Sequence, residues 1–180
     1  GIVLDLVSLP KDLNNPEDLK EKEILRKFLE GIGKVKPQVV GFNSHSADLL
    51  ILTQRSIVNG LHLPGFAARP DKPWLGADYF ASSDFNIDLR DVVSGWGTGK
   101  GTSLSDLAML SGIPGKMDVD GNQVAQLWLD GKIKEIVDYN EFDALTTYLV
   151  WLRMAHFGGF FDSKNYALEE QRVRELIEKL

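Results

Sequence analysis

The run Pro37-Gln38-Val39-Val40-Gly41-Phe42 is short, almost wholly apolar, and preceded by an amphipathic segment. This pairing constrains the fold more than any other feature of the chain. A strand buried on both faces of a parallel sheet reads as a continuous apolar run, and consecutive parallel strands need a crossover, usually a helix. The segment before it, Glu17 to Ile32, supplies that helix: Leu19, Ile24, Leu25, Phe28, Leu29 and Ile32 recur near helical spacing, with Gly31 and Gly33 as stop signals. Upstream, Ile2 to Leu9 is β-branched and apolar and runs into Pro10, Asn14, Asn15 and Pro16, the pattern of a strand and its turn. Strand, helix, strand is the order of an α/β protein. The chain has 180 residues, 43% of them hydrophobic, which is enough for one domain with a sizeable core.

Further along, Asp48 to Leu61 reads as a helix ending at Gly60, and Phe85-Asn86-Ile87-Asp88-Leu89 as another short strand. Gly95 to Gly101 holds four glycines in seven residues and reads as a loop. It lacks the lysine and hydroxyl residue that a phosphate-cradling loop requires after its last glycine. Ser103 to Leu110 is a helix with Ser103 as cap and Asp106 three residues on. A helix over Asn122–Asp130 follows, then the longest one, Ile133 to Phe157, closed by Gly158 and Gly159. The tail from Tyr166 to Leu180 is a charged helix with an apolar stripe, suited to docking on the body of the domain or on a partner, including a second copy of the chain.

Composition removes several classes of function. With no cysteine, disulfides, zinc ribbons and thiol catalysis are excluded, and a reducing, cytoplasmic setting is the expectation. Any metal must be held by oxygen or by His45, His62 or His156. No apolar run approaches a membrane span, and the first residues lack the pattern of a signal peptide. The formal charge of -6 disfavours a broad binder of nucleic-acid backbone, which works by neutralising phosphates with Lys and Arg. It does not disfavour a nuclease, because metal-dependent nucleases gather carboxylates and let divalent cations face the phosphate.

Two constellations could carry chemistry. Tyr139 and Asp143 are four residues apart within the long helix, hence on one face about a turn apart. A carboxylate there can hold a divalent metal while the phenol reaches a water beside it; the plainer alternative is a half-buried aromatic and a solvated helix acid. In Gly41-Phe42-Asn43-Ser44-His45-Ser46-Ala47-Asp48, a buried strand delivers Asn43 and Asp48 to the carboxyl end of a sheet, where ligand sites of open α/β sheets form. Asp48 reads equally well as an acid favoured in the first turn of a helix, and His45 as a hydrogen-bonding loop residue.

At these residues the chain resembles a family. Gly41-Phe42-Asn43 with Asp48-Leu49 is similar to the second motif of DEDD-type 3′–5′ exonucleases, and Tyr139 with Asp143 to the third motif of their tyrosine subclass. Ile87-Asp88-Leu89-Arg90-Asp91-Val92-Val93-Ser94-Gly95, Ser103-Leu104-Ser105-Asp106-Leu107-Ala108, Ile113-Pro114-Gly115-Lys116 and Asp120-Gly121-Asn122-Gln123-Val124 resemble predicted exonucleases related to the proofreading domain of family-B DNA polymerases. The resemblance covers about residues 17 to 160. It implies a ribonuclease H-like fold, a mixed sheet flanked by helices, over residues 1–162, with 163–180 as the C-terminal helix. It also implies two divalent ions, magnesium or manganese, at Asp48 and Asp143, with Tyr139 orienting the attacking water. Asn43 then shapes the turn or touches the terminal nucleotide of the substrate, a single-stranded nucleic acid, DNA before RNA; His45, Phe42 and Trp96 are stacking candidates, with core packing the plainer role for Phe42.

The family's first motif, Asp-x-Glu on the first strand, is not found. Asp5-Leu6-Val7 would be that motif with Val7 in place of the glutamate, yet the stretch from Asp5 to Asp48 has no room for two further strands and their turns. The expectation is therefore that Ile2–Leu9 is the third strand, that the first one or two strands are missing from this chain, and that the first motif lies upstream. Two other functions compete: a ribonuclease H-like module that binds nucleic acid without cleaving it, and a phosphohydrolase of small nucleotides.

Overall fold

The computed structural model describes residues 3, 5–81, 84–95, 101–114 and 123–179. The chain forms two compact units, one of residues 9–102 and one of residues 1–8 with 103–180. The protein is α/β, with mostly helices and, among the described residues, one two-stranded parallel sheet.

In the first unit, helix α1 (Glu21–Val35) leads to strand β1 (Val39–Gly41), helix α2 (Asp48–Val58), the short helix α3 (Pro64–Ala67) and a single 3-10 turn at Pro73–Leu75. Strand β2 (Asn86–Asp88) passes directly into helix α4 (Leu89–Val93). The strands pair in the register Val39↔Asn86, Val40↔Ile87, Gly41↔Asp88. Leu29, Leu49, Leu63, Phe66 and Tyr79 form the core, with Phe66 and Tyr79 stacked at 5.4 Å between ring centres. The buried Tyr79 hydroxyl donates to the Pro37 carbonyl at 2.9 Å, which anchors the entry to β1.

Two sequence expectations for this unit are corrected. Helix α1 starts at Glu21 and continues through Gly31 and Gly33 to Val35. Gly33 is not a stop: a Cβ there would lie 2.7 Å from the Gly65 carbonyl carbon, so its missing side chain lets α1 and α3 approach. The left-handed residue that ends the helix is Lys36, at φ 52°, whose N–H returns to the Ile32 carbonyl. Strand Phe85–Leu89 is shorter than read, because Leu89 opens α4 with Asp88 as its cap.

In the second unit, α5 (Leu104–Leu110) is capped by Ser103, whose hydroxyl accepts the Asp106 N–H at 3.0 Å, and α6 (Val124–Leu129) follows. Helix α7 (Ile133–Phe157) ends at Gly158 and Gly159, and α8 (Ser163–Ile177), capped by Asp162, packs on it. The contact centres on Glu169, 1% exposed, which accepts hydrogen bonds from Tyr148 at 2.7 Å, Arg172 at 3.0 Å and the Val3 N–H. Burial raises the Glu169 pKa, but these three donors outweigh it and hold the carboxyl below its ordinary value.

Of the stretch expected as a strand, Ile2–Leu9, the described residues, 3 and 5–9, carry no regular secondary structure. Its polar partners are side chains of α7 and α8 instead, Ser8 donating to Glu141 at 2.5 Å and Val3 to Glu169, and Asp5 and Val7 are exposed. No described helix is long and apolar enough to cross a membrane.

Candidate functional site

Because β1 and β2 are parallel, the chain leaves both strands at the same edge, and the β1–α2 turn meets the β2–α4 junction there. The meeting is organised by one carboxylate. Asp88, its side chain 2% exposed, accepts the Asn43 N–H at 2.7 Å and the Arg90 N–H at 3.0 Å on Oδ1, and the His45 N–H at 3.0 Å on Oδ2. One side chain thus caps α4 and pins the turn before α2.

The turn is shaped to be pinned. Asn43 sits at φ 65°, a left-handed conformation that asparagine tolerates, and its Oδ1 accepts from Arg90 Nη1 at 2.6 Å. Ser44 folds back so closely that a Cβ on Gly41 would lie 2.7 Å from the Ser44 Cβ, and its hydroxyl donates to Asn86 Oδ1 at 3.1 Å. His45 turns its Nδ1 to Asp91 Oδ2 at 2.9 Å, with Asp88 Oδ2 at 3.8 Å. His45, Asp88 and Asp91 therefore offer one nitrogen and two carboxylate oxygens within 4.8 Å of one another. A donor set of one imidazole and two carboxylates is of a kind that can hold a divalent cation. Two of Asp88's lone-pair directions on Oδ1 are already taken by backbone donors, so its primary task is structural.

The residues singled out in the sequence fall as follows. Asn43 and His45 are brought together by the Asp88 lock, and Phe42 is half-buried at the start of the same turn. Asp48 is the first residue of α2 and is exposed. Tyr139 and Asp143 lie in α7, both half-buried, on either side of Glu141. Trp96, Gly115, Lys116 and the text at Asp120–Asn122 lie outside the described residues. The motifs give no role to Asp88 or Asp91. The available signal was an aspartate at the carboxyl end of a short apolar strand followed three residues later by a second acid, the spacing of a helix N-terminus.

A hollow of about 290 Å³ opens beside this edge, lined by His45, Leu49, Leu50, Thr53, Gln54 and Phe80. It lies along one side of α2, whose first residue is Asp48.

No curated protein and no solved structure gives a significant match to the chain. A family model does, over residues 4–180, and its family is described as a predicted 3′-5′ exonuclease related to the exonuclease domain of PolB. With nearly its whole length matched, including the strand-end turn and the Tyr139–Asp143 helix, this chain belongs to that family of predicted 3′–5′ exonucleases.

Proposed function

We propose that the protein is a divalent-metal-dependent exonuclease of ribonuclease H-like fold that hydrolyses phosphodiester bonds from the 3′ end of single-stranded nucleic acid, DNA before RNA. The observation that carries this reading is the family match over residues 4–180. Asp48 and Asp143 are the carboxylates assigned to metal, and an exposed aspartate at a helix start and a half-buried one inside a helix are both compatible with that work. Bound divalent ions would stabilise charge on the attacking and leaving oxygens of an in-line displacement at phosphorus.

The remaining steps fall to the chain's own groups. Tyr139, one turn before Asp143, holds the attacking water by its phenol. Asn43, Phe42 and His45 contact the terminal nucleotide, and the Asp88 lock with the Arg90–Asn43 bond fixes their turn before substrate arrives, so less is lost in ordering it.

A second reading, a module that binds nucleic acid without cleaving it, is favoured by Asp5. The acid that would stand for the first motif is exposed, outside any strand, with its Oδ1 taken by the Leu6 N–H at 2.9 Å. End-labelled single-stranded DNA and RNA, incubated with magnesium or manganese, decide between the two. The intact chain and any form extended upstream are compared with Asp143→Ala and Tyr139→Phe. Metal-dependent shortening from the 3′ end, abolished in Asp143→Ala, supports the exonuclease; binding without shortening in every form overturns it in favour of the second reading.

A further inference from the structure

The segment between α3 and β2 contains a loop that no step of the proposed reaction uses. Its base is pinned: Arg69 Nε donates to Asp78 Oδ2 at 3.0 Å, and Asp78 Oδ1 accepts the N–H groups of Phe80 and Ala81 at 3.0 and 3.1 Å. The Asp78 side chain is 9% exposed, and the next residue, Tyr79, is fully buried in the core. Burial raises the Asp78 pKa, but these donors together pull the carboxyl below its ordinary value, so the pin is ionised at neutral pH. Its tip is the opposite in character. The 3-10 turn Pro73–Leu75 carries Trp74 at 76% exposure and Leu75 at 64%, and the Lys72 ammonium stands 5.4 Å from the Trp74 ring centre.

A large aromatic held 76% exposed on an anchored loop, with a cation over one face of its ring, is an arrangement that stacks a planar base on the opposite face and sets a positive charge near the phosphate attached to it. Across the anchored loop Arg69 is matched by Asp78 and Lys72 by Asp71, so the loop is neutral within a chain of formal charge -6 and Lys72 is the cation its tip presents. We propose that Trp74 and Lys72 form a sequence-tolerant platform for a base and phosphate of single-stranded nucleic acid, a contact to the strand additional to those at the β1–α2 turn. This rests on the reading that single-stranded nucleic acid is the substrate, but its test does not need cleavage.

Binding of a fluorescein-labelled dT oligomer is measured by anisotropy with divalent metal chelated, for the intact chain and for Trp74→Ala, Trp74→Phe and Lys72→Ala. The expected result is about a tenfold weakening in Trp74→Ala, the size of losing one base–aromatic stack, with Trp74→Phe retaining most of the affinity. Lys72→Ala should lower the slope of log affinity against log salt by about one. Tryptophan emission quenched by the oligomer in the intact chain and not in Trp74→Phe locates the stack among the four tryptophans. Equal affinity and equal quenching in all four proteins overturn the platform, even if the chain shortens 3′ ends. Trp74-dependent binding in a chain that cleaves nothing supports the platform while removing the exonuclease reading, so the two fail separately. Oligomer binding absent in the intact chain overturns the platform and leaves the Trp74–Leu75 tip to a protein partner.

Discussion

Replacing Asp88 should cost more than replacing any other acid at the strand edge, and the size of the loss distinguishes a structural lock from a metal ligand. The Asp88 carboxylate is nearly inaccessible and receives three backbone N–H groups, two on Oδ1 and one on Oδ2. In Asp88→Asn the amide oxygen can keep the Asn43 and Arg90 bonds without their charge, while the amide nitrogen faces the His45 N–H donor to donor. Hydrogen bonds to charged groups are worth about 1.5–3 kcal/mol, so losing one and weakening two predicts about 2–4 kcal/mol of destabilisation. Asp88→Ala strips all three donors and should cost about 4–5 kcal/mol, moderated by water entering the space. His45→Ala leaves the backbone bond in place and should cost far less. Urea denaturation followed by circular dichroism gives the global loss, and amide hydrogen exchange over residues 41–58 and 86–94 gives the local one. A loss under about 0.5 kcal/mol in Asp88→Asn, with unchanged exchange, would refute the lock. Equal sensitivity of Asp88→Asn, His45→Ala and Asp91→Ala that appears only with added manganese would show a shared cation to be the organising element instead.

The helix α1 glycines should respond in opposite directions. Gly33→Ala forces a Cβ to within 2.7 Å of the Gly65 backbone and should destabilise by about 1–3 kcal/mol in urea denaturation. Gly31→Ala meets nothing within 4 Å inside the same helix and should stabilise by roughly 0.5–1 kcal/mol. Glu169 sets part of the acid limb of stability. Its folded pKa lies below the ordinary 4.5, so its contribution is complete above pH 4.5 and is lost as pH falls through the lower folded value. Glu169→Gln should therefore flatten the pH dependence of the melting temperature on that limb, and an unchanged slope would contradict the assignment. Tyr148→Phe removes one donor from the same buried carboxylate and should cost about 1–3 kcal/mol at neutral pH, read from urea midpoints.

Helices were legible where their signals were local. The spacing in Ile133–Phe157, its two closing glycines, the Ser103 cap and the turn at Gly60, with φ 60°, are all satisfied by neighbours within a few residues. Local signals fall short where a distant contact or an unusual backbone conformation decides the outcome. Gly33 looked like punctuation because a glycine can end a helix, whereas its use is the approach of Gly65. Lys36 ends α1 in a conformation the sequence does not advertise. Ile2–Leu9 has the composition of a strand, but β propensity is chiefly a preference for neighbours on a pleated surface and does not by itself make one. Within that stretch, Val3 and Ser8 donate hydrogen bonds to Glu169 and Glu141.

At the strand-end turn the sequence shows the motif and hides the scaffold for a related reason. A family motif draws attention to Asn43, His45, Asp48, Tyr139 and Asp143, but it does not say which acids hold the scaffold. Asp88 is as acidic as Asp48 in the sequence and opposite to it in the structure, one turned inward onto backbone donors and the other exposed at the start of α2. The net charge of -6 therefore overstates the negative potential at the strand edge. Part of it is spent on N–H groups of a turn and a helix start, and Arg90, bound to Asn43 Oδ1, stands on the same edge. The buried Asp88 is matched by backbone donors of the protein itself, so its charge is directed into the scaffold and not toward solvent.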